Sequence, residues 1–534
     1  MARADEGPAD HVVVGAGAAG CVVAARLSED PDRRVVLLEA GGRARKLAVR
    51  IPAGFNQLFR SELDWSYDTE PEERLDDRRL YWPRGKGLGG STIMNAQMWV
   101  RGSRLDYDGW ADTAGPDWAW DEVLPVFRSI ERSGRGSAPW RGTDGPLSVN
   151  DLRSTNPMTH DFVRAATAAG IARTRDVNDP DHHEGVDFTQ VLQKGGRRCS
   201  AADAYLGPAR RRSNLTVRTG AHATRVVMDD GRAVGVAYLQ GGVEHVVRAE
   251  RGVVLCGGAV NTPQLLMCSG IGPADHLRAR DIDCVVDRPG VGANLQDHLC
   301  AIAISLSAAG VTSSLVAAQS PRQLANWVAR GKGMLSSNVG EALAFVRTAP
   351  EAPAPDIELI FAPVPFIDHG LVDPPGHGIS IGAVLLQPES RGTIHLAADP
   401  TGPPVISPRY LSDPAGNDLA TLVRGMRLAY DILHQPALAR YVDRDLEPAA
   451  DPGTDDGWRA FIQEQAETLY HPVGTARMGP SDDPTSVVDG ELRVLGVEGL
   501  RVADASVMPT ITRGHTQAPT MLIGERAAAL IRAS

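Results

Sequence analysis

The feature that most constrains this chain is HVVVGAGAAGCVVAARLSEDPDRRVVLLEAGG, which runs from His11 to Gly42. Val12 to Val14 predict a short buried strand. Gly15, Gly17 and Gly20 follow with GxGxxG spacing, Ala18 to Leu27 carry apolar residues at helical intervals, and Val35 to Leu38 predict a second strand ending at Glu39. A strand, a glycine turn, a helix and a second strand form a βαβ unit, which commits the amino-terminal region to a parallel sheet with a right-handed crossover. Gly15 permits the tight turn, Gly17 admits a pyrophosphate close to the backbone, and Gly20 lets helix and strand pack closely. The helix start, at Ala18 and Ala19, offers free N–H groups and a positive dipole end to phosphate. Glu39 stands roughly 20 residues beyond the motif, where a carboxylate accepts hydrogen bonds from ribose hydroxyls and repels a 2′-phosphate. The unit therefore predicts an ADP-ribose site, and by itself fits NAD or FAD equally.

A second glycine-rich stretch bears on that choice. PRGKGLGGSTIMNAQMWVRG, from Pro83 to Gly102, places Gly87, Gly89 and Gly90 ahead of Asn95. A flavin extends past its pyrophosphate to a ring that needs another close approach of backbone. These glycines can supply it, and Asn95 can hydrogen-bond the edge of a heterocycle.

Composition narrows the rest. A chain of 534 residues exceeds one ordinary core, so two or more domains are expected. The net charge of −11, with no basic run longer than Arg210-Arg211-Arg212, argues against a nucleic-acid partner. No apolar stretch is long enough to span a bilayer. A polar leader before a first strand near His11 leaves no room for a secretory signal. Cys21, Cys199, Cys256, Cys268, Cys284 and Cys300 contain no CxxC pair and are expected to be buried free thiols in a reducing cytoplasm. No metal-ligand spacing and no serine or cysteine nucleophile motif stands out.

Further along, Val253 to Leu255 predict a strand running into Gly257 and Gly258. Thr262 reads there as a helix N-cap and Pro263 as a first helical residue. Near the end, Leu500 to Ala503 predict a strand that stops at Asp504, and Pro519 is expected to open a helix through Leu530. Both are strand–turn–helix crossovers, and Asp504 lies at a strand's carboxyl end, where ligands of such sheets bind.

On these and other segments the chain resembles the glucose–methanol–choline (GMC) family of flavin oxidoreductases. The matching pieces are GKGLGGSTIMN (Gly85 to Asn95), GAVNTPQLLMCSGIG (Gly258 to Gly272), DWSYDTEP (from Asp64), RGSRLDYDGW (from Arg101), PGVGANLQDH (Pro289 to His298), PESRGTIHL (from Pro388) and GLRVADASVMPTITRGHTQAPTMLIGERAA (from Gly499). The resemblance covers nearly the entire chain. It implies a Rossmann-type FAD-binding domain joined to a discontinuous α+β substrate-binding domain. The FAD domain is expected over 1–150, 196–310 and 471–534, and the substrate domain over 151–195 and 311–470. From the residues alone the middle segment reads equally as an accessory domain.

The resemblance also implies FAD contacts from Gly15, Gly17, Ala18, Ala19, Gly20, Glu39, Ala40, Gly87, Gly90, Ser91, Asn95, Ala96, Met98, Ala223, Asp504, Ala505, Gln517, Ala518 and Pro519. Some members tether FAD to a histidine just before the signature asparagine. Met94 stands there in this chain, so noncovalent FAD is expected.

YHPVGTARMG, from Tyr470 to Gly479, resembles the family's catalytic segment. Oxidising an alcohol removes a hydroxyl proton and a hydride. An alkoxide is scarce near neutral pH, so a positioned base is worth about 10² to 10⁴ in rate. His471 is the expected base, with Pro472 and Gly474 fixing and thinning the backbone beneath it. The family places a second polar residue across the pocket. Alignment on the terminal APTMLIGE puts Gln517 there, with His515 as the other candidate. The expectation is an FAD-dependent oxidoreductase acting on a small alcohol, with oxygen or another acceptor completing the cycle. A hydroxynitrile-lyase-like enzyme and a noncatalytic flavoprotein are the alternatives. Substrate and oligomeric state are not legible at this level.

Overall fold

β1 (Ala9–Val14), α1 (Ala18–Leu27) and β2 (Val35–Glu39) form the βαβ unit in a computed structural model that describes residues 8–533; residues 1–7 of the polar leader lie outside the described residues, and β1 takes up Ala9 and Asp10. β1 and β2 are buried along their whole length and pair in parallel, Val12 beside Val36 and Val14 beside Leu38. Burial on both faces is why they read as unbroken apolar runs rather than alternating ones. Gly15, at φ +96°, and Gly20 meet at this turn. A Cβ on Gly20 would lie 1.8 Å from the Gly15 carbonyl oxygen, so only glycine lets helix and strand close.

The first seven-stranded sheet runs Leu215–Thr219, β2, β1, Val243–Leu255, Arg232–Gln240 and Ala221–Asp229, with Leu500–Val502 beside the end of Val243–Leu255. Val243–Leu255 serves two environments. Its first half, VEHVVRAE, mixes apolar and charged residues and pairs antiparallel with Arg232–Gln240. Its last residues, VVL, are buried and run parallel to β1 and to Leu500–Val502. The helix Gln517–Ala533 packs on α1, where a Cβ on Gly524 would stand 3.0 Å from the Ala19 Cα.

Two helix starts differ from the sequence expectation. The terminal helix begins at Gln517, two residues before Pro519. The helix expected from Thr262 begins a turn earlier, as Gly258–Cys268, and Thr262 is not its cap. The Thr262 hydroxyl instead accepts the Gly257 N–H (3.1 Å) and donates to Asp504 (2.6 Å). Pro263 then lies inside the helix and cannot donate to the Ala259 carbonyl four residues back. The Thr475 hydroxyl donates to that carbonyl at 2.6 Å, which removes the cost of the orphaned acceptor.

The second seven-stranded sheet is antiparallel, in the order Val442–Glu447, Leu299–Ser307, Gly378–Leu385, Ile357–Ala362, Ala342–Val346 and Gly185–Phe188, with Glu467–Thr468 on Leu299–Ser307. Side chains alternate across it. Ala301, Leu359, Phe361, Ile379 and Ile381 enter a core that Leu422 and Met426 of the helix Asn417–Leu433 complete. Cys300, Ile302, Ile360, Ala362, Ser380 and Gly382 face the other way and line a cavity.

Strand pairing differs from the expected domain division in two places. Leu299–Ser307 lies inside the second sheet, so the chain changes sheets before residue 299 and not at 310. The expected division at 195 falls between Gln190–Lys194 and Arg197–Arg198, which pair with each other. Among the cysteines, Cys284 is exposed and Cys268 half-buried, unlike the other four. No described helix is long and apolar enough to cross a membrane.

The closeness at Gly20 has a measurable consequence. Gly20→Ala should destabilise the protein by about 1–3 kcal/mol, as overpacking against backbone does, whereas Gly42→Ala, with nothing within 4 Å of the added Cβ, should stay near wild type. Urea unfolding of both variants checks this; equal midpoints would remove the packing role given to Gly20.

Candidate active site

A cavity of about 490 Å³ extends from the β1–α1 turn to the face of the second sheet. At the first end it is lined by Gly15, Gly17, Ala18, Ala19, Glu39 and Ala40. A Cβ on Gly17 would meet nothing nearer than 4.0 Å, so this backbone is bare toward the space, beside the start of α1. The Glu39 carboxylate accepts the N–H groups of Ala16 (2.9 Å) and Gly41 (2.8 Å), which fixes it at the rim; burial pushes it up to about 7.

The second glycine stretch reaches the cavity only in part. Leu88 N–H donates to the Gly42 carbonyl (3.0 Å) and Gly89 N–H to the Ala16 carbonyl (2.8 Å). Gly87 pairs with Gly42, beyond β2, and does not line the cavity, whereas Gly90 and Ser91 do. A Cβ on Gly90 would sit 2.6 Å from the Gly17 Cα, so the two loops touch through backbone. Asn95, Ala96, Met98, Ala223, Asp504, Ala505 and Gln517 also line the cavity, as does Met94. Gly20, Ala518 and Pro519 do not; they serve packing of α1 and of the terminal helix. Asp504 is committed at the strand end, accepting from Gly258 N–H (2.8 Å), Thr262 hydroxyl (2.6 Å) and Ser506 N–H (2.8 Å).

At the far end, His471 follows Glu467–Thr468 on a segment that pairs with residues 292–298. Its backbone N–H donates to Asp297 (2.7 Å), whose carboxylate also accepts from the hydroxyls of Thr468 (2.5 Å) and Tyr410. Gly474, at φ +90°, lets this segment close, since a Cβ there would lie 2.5 Å from the Asn294 carbonyl oxygen. The His471 Nδ1 lies 3.0 Å from His298 Nδ1, and its ring centroid lies 4.8 Å from that of His515, nearly perpendicular at 80°. Burial first, then His515, His298 and Arg84, hold the His471 imidazole well below its usual range. It is therefore neutral and able to take a proton.

His515 stands where the sequence expectation put Gln517. Its Nε2 is 2.9 Å from Glu358 Oε1, a buried carboxylate whose other oxygen has no protein partner among the described residues. Gln517, at the start of the terminal helix, accepts from Asn95 Nδ2 at 2.5 Å, and its own Nε2 lies 3.7 Å from Met521 Sδ. Asn95 in turn accepts from Arg198 (2.8 Å) and from Gln97 N–H (3.1 Å). The two candidates thus separate: His515 faces His471, and Gln517 belongs to the Asn95 cluster.

Around the histidines the wall is apolar, with Phe55, Phe59, Val339, Ile360, Phe366 and Leu469. One acid interrupts it. Burial pushes Glu467 up to about 8, and His369 Nδ1 lies 3.4 Å from it and 2.6 Å from the Tyr470 hydroxyl. Sequence reasoning missed His298, Glu358 and Glu467. His298 ends the quoted segment PGVGANLQDH, and Glu358 interrupts an apolar strand, IELIFA, which was the available signal.

The residues fit FAD: bare backbone at Gly17 beside a helix start, the Glu39 carboxylate on the same cavity, and a passage leading from there to the paired imidazoles. Comparisons agree. The GMC oxidoreductase family models match residues 9–300 and 388–524. A GMC-type oxidoreductase of Mycobacterium tuberculosis is 52% identical, over 98% of this chain and 99% of that one. An alcohol dehydrogenase [acceptor] of Pseudomonas putida is 43% identical, over 98% and 95%. The crystal structure of pyridoxine 4-oxidase from Mesorbium loti superposes with a TM-score of 0.89 at 32% identity, covering 98% and 99% of the two chains. A two-sheet fold, a dinucleotide cradle and a histidine pair at its far end, together with these matches, place the chain in the GMC oxidoreductase family of FAD-dependent enzymes.

Proposed function

We propose that this enzyme oxidises a small alcohol to an aldehyde or ketone, with His471 as the base. The observation that supports this most is the neutral His471 imidazole, open to the cavity and opposed by His515, at the end of the cavity away from Gly17 and Glu39. FAD, when bound, supplies the acceptor for the hydride that leaves the carbinol carbon. The chain's residues supply the rest. Gly15, Gly17, Ala18, Ala19, Glu39, Ala40, Gly90 and Ser91 hold the cofactor's dinucleotide portion, and Asn95, Ala96, Met98, Ala223, Asp504, Ala505 and Gln517 its remainder. His471 accepts the hydroxyl proton. His515, backed by Glu358, donates a hydrogen bond to the same oxygen as charge develops there, a contact worth most in a water-poor site. Phe55, Phe59 and Phe366 exclude water and receive the carbon skeleton.

The alcohol dehydrogenase relative supports the substrate class; the lyase alternative draws no support from the relatives named above. Oxygen or another acceptor takes the electrons onward. In domain terms, the first sheet with its helices forms the FAD domain. The second sheet, Gly185–Phe188 included, with the helices Pro157–Ala168 and Asn417–Leu433, forms the substrate domain. A cytoplasmic setting belongs to the same reading, supported by buried unpaired thiols at Cys21, Cys199, Cys256 and Cys300.

Anaerobic stopped-flow reduction of the flavin by an alcohol tests the roles. His471→Ala should keep its FAD and lose about 10² to 10⁴ in the reduction rate. His515→Ala should lose more rate than Gln517→Ala, and Gln517→Ala should loosen FAD through the lost Asn95 bond. Wild-type reduction by His471→Ala would end the assignment of the base, and a larger loss in Gln517→Ala than in His515→Ala would restore Gln517 as the partner.

Met94 has no nucleophilic nitrogen with which to tether a flavin. Acid precipitation should therefore leave the flavin in the supernatant. Yellow colour retained by the pellet would show a covalent link elsewhere on the chain.

A further inference from the structure

Behind His471 lies a histidine that touches neither the cavity nor, on this geometry, any substrate. His298 is fully buried at 0% exposure, just ahead of Leu299–Ser307. Its two ring nitrogens face different partners: Nε2 lies 3.1 Å from the Leu386 carbonyl oxygen, and Nδ1 lies 3.0 Å from His471 Nδ1.

These contacts permit only one distribution of protons. A carbonyl oxygen only accepts, so the nitrogen against Leu386 carries hydrogen. Burial pushes His298 down to about 3, so its ring is neutral and holds a single N–H. That hydrogen is on Nε2, which leaves a lone pair on Nδ1. Two imidazole nitrogens at this distance attract only if one of them donates, so His471 must donate from its Nδ1. A neutral His471 whose hydrogen is on Nδ1 has its lone pair on Nε2, on the side of the ring away from His298. We propose that His298 is a positioning residue that fixes the tautomer of His471, so that Nε2 stands bare toward the cavity to receive the hydroxyl proton. This rests on the reading of His471 as the base.

The balance closes without a further reactant. The hydroxyl proton goes to His471 Nε2, the Nδ1 hydrogen stays in its bond to His298, and the resulting imidazolium keeps that bond as a stronger, charge-assisted one. His298 thus stabilises the protonated base as well as orienting the neutral one. The same relation of a ring N–H to an outer acceptor fixes the orientation of metal-bound histidines, where losing the acceptor costs about 10–100-fold. The other groups acting on His471 are His515, with Glu358 behind it, and Arg84, while Asp297 accepts the His471 backbone N–H. The Thr512 carbonyl joins Leu386 in facing His298.

Two measurements test this. The first is nitrogen-15 NMR of the FAD-loaded enzyme labelled at histidine, with the His471 and His298 signals assigned from His471→Asn and His298→Asn. At pH 8 the expected pattern is a protonated Nδ1 and a bare Nε2 on His471, with the reverse on His298. A protonated Nε2 on His471 would overturn the proposal. The second is flavin reduction by alcohol across pH. His298→Phe, which fills the space but accepts nothing, should retain FAD, lose about 10–100-fold in rate, and reach its plateau at lower pH. This follows because protonated His471 loses its best acceptor, which disfavours the charged form, while its wrong tautomer becomes populated. His298→Asn puts an amide oxygen close to where Nδ1 stands and should recover most of the loss. A wild-type rate and pH profile in His298→Phe, or equal damage from Phe and Asn with FAD bound, would reduce His298 to packing. Failure of the base assignment would look different, since His471→Ala would then reduce normally while the tautomer pattern in the NMR stood unchanged.

Discussion

A short ladder of backbone hydrogen bonds between residues 292–298 and 469–475 is the contact on which the rest of the site depends. Gly292 N–H donates to Thr475 (2.8 Å), Gln296 and Val473 exchange bonds at 3.1 and 2.9 Å, and Leu469 N–H donates to His298 (2.8 Å). The ladder lies where the chain passes to the second sheet after Val243–Leu255 and where it returns before Leu500–Val502. Pairing the two crossings ties the sheets together and, in the same stroke, sets His298 beside His471. Asp297 reinforces it from within by receiving the His471 N–H and the Thr468 hydroxyl. Thr475 extends it to the first sheet by capping the carbonyl that Pro263 leaves free. Breaking this ladder would displace His471, the proposed base.

The electrostatics follow from the same burial. Removal from water disfavours charge on both kinds of group here. It lowers His471 and His298 and raises Asp297 to about 6 and Glu467 to about 8. A site built for proton removal gains from this, because its imidazoles stay in the accepting form well below neutral pH. Reduction should accordingly depend little on pH above the ordinary histidine range. His298 and His471 share the space without repelling one another because both remain neutral until a proton is transferred.

The βαβ unit was legible almost to the residue, since α1 begins and ends where the apolar spacing of Ala18–Leu27 does and Glu39 ends β2. There, local periodicity and turn chemistry decide the structure without help from distant contacts. His515 and Gln517 were not separable in sequence. They are two positions apart at the entry to a helix, where the turn sends one toward the second sheet and the other toward Asn95, and alignment carries no such direction. Gly87 lies off the cavity for a related reason: a glycine that admits a neighbouring backbone reads the same as one that admits a ligand. The expected boundary at 310 lies beyond Leu299–Ser307, which pairs in the second sheet, because strand partners, unlike strands, are long-range. Glu358 and His298 acquire meaning only through residues more than a hundred positions away.

On the proposed reading, the cradle at Gly17 and Glu39 and the histidine pair at the other end serve one reaction, the transfer of hydride from an alcohol to bound FAD. The most direct measurement is the visible spectrum of the purified enzyme under anaerobic conditions as primary alcohols, aliphatic and aromatic, are added in turn. At least one alcohol should bleach the flavin band and yield the matching aldehyde in equal amount. A flavin that remains oxidised with every alcohol, while the protein stays folded and FAD-loaded, would contradict it.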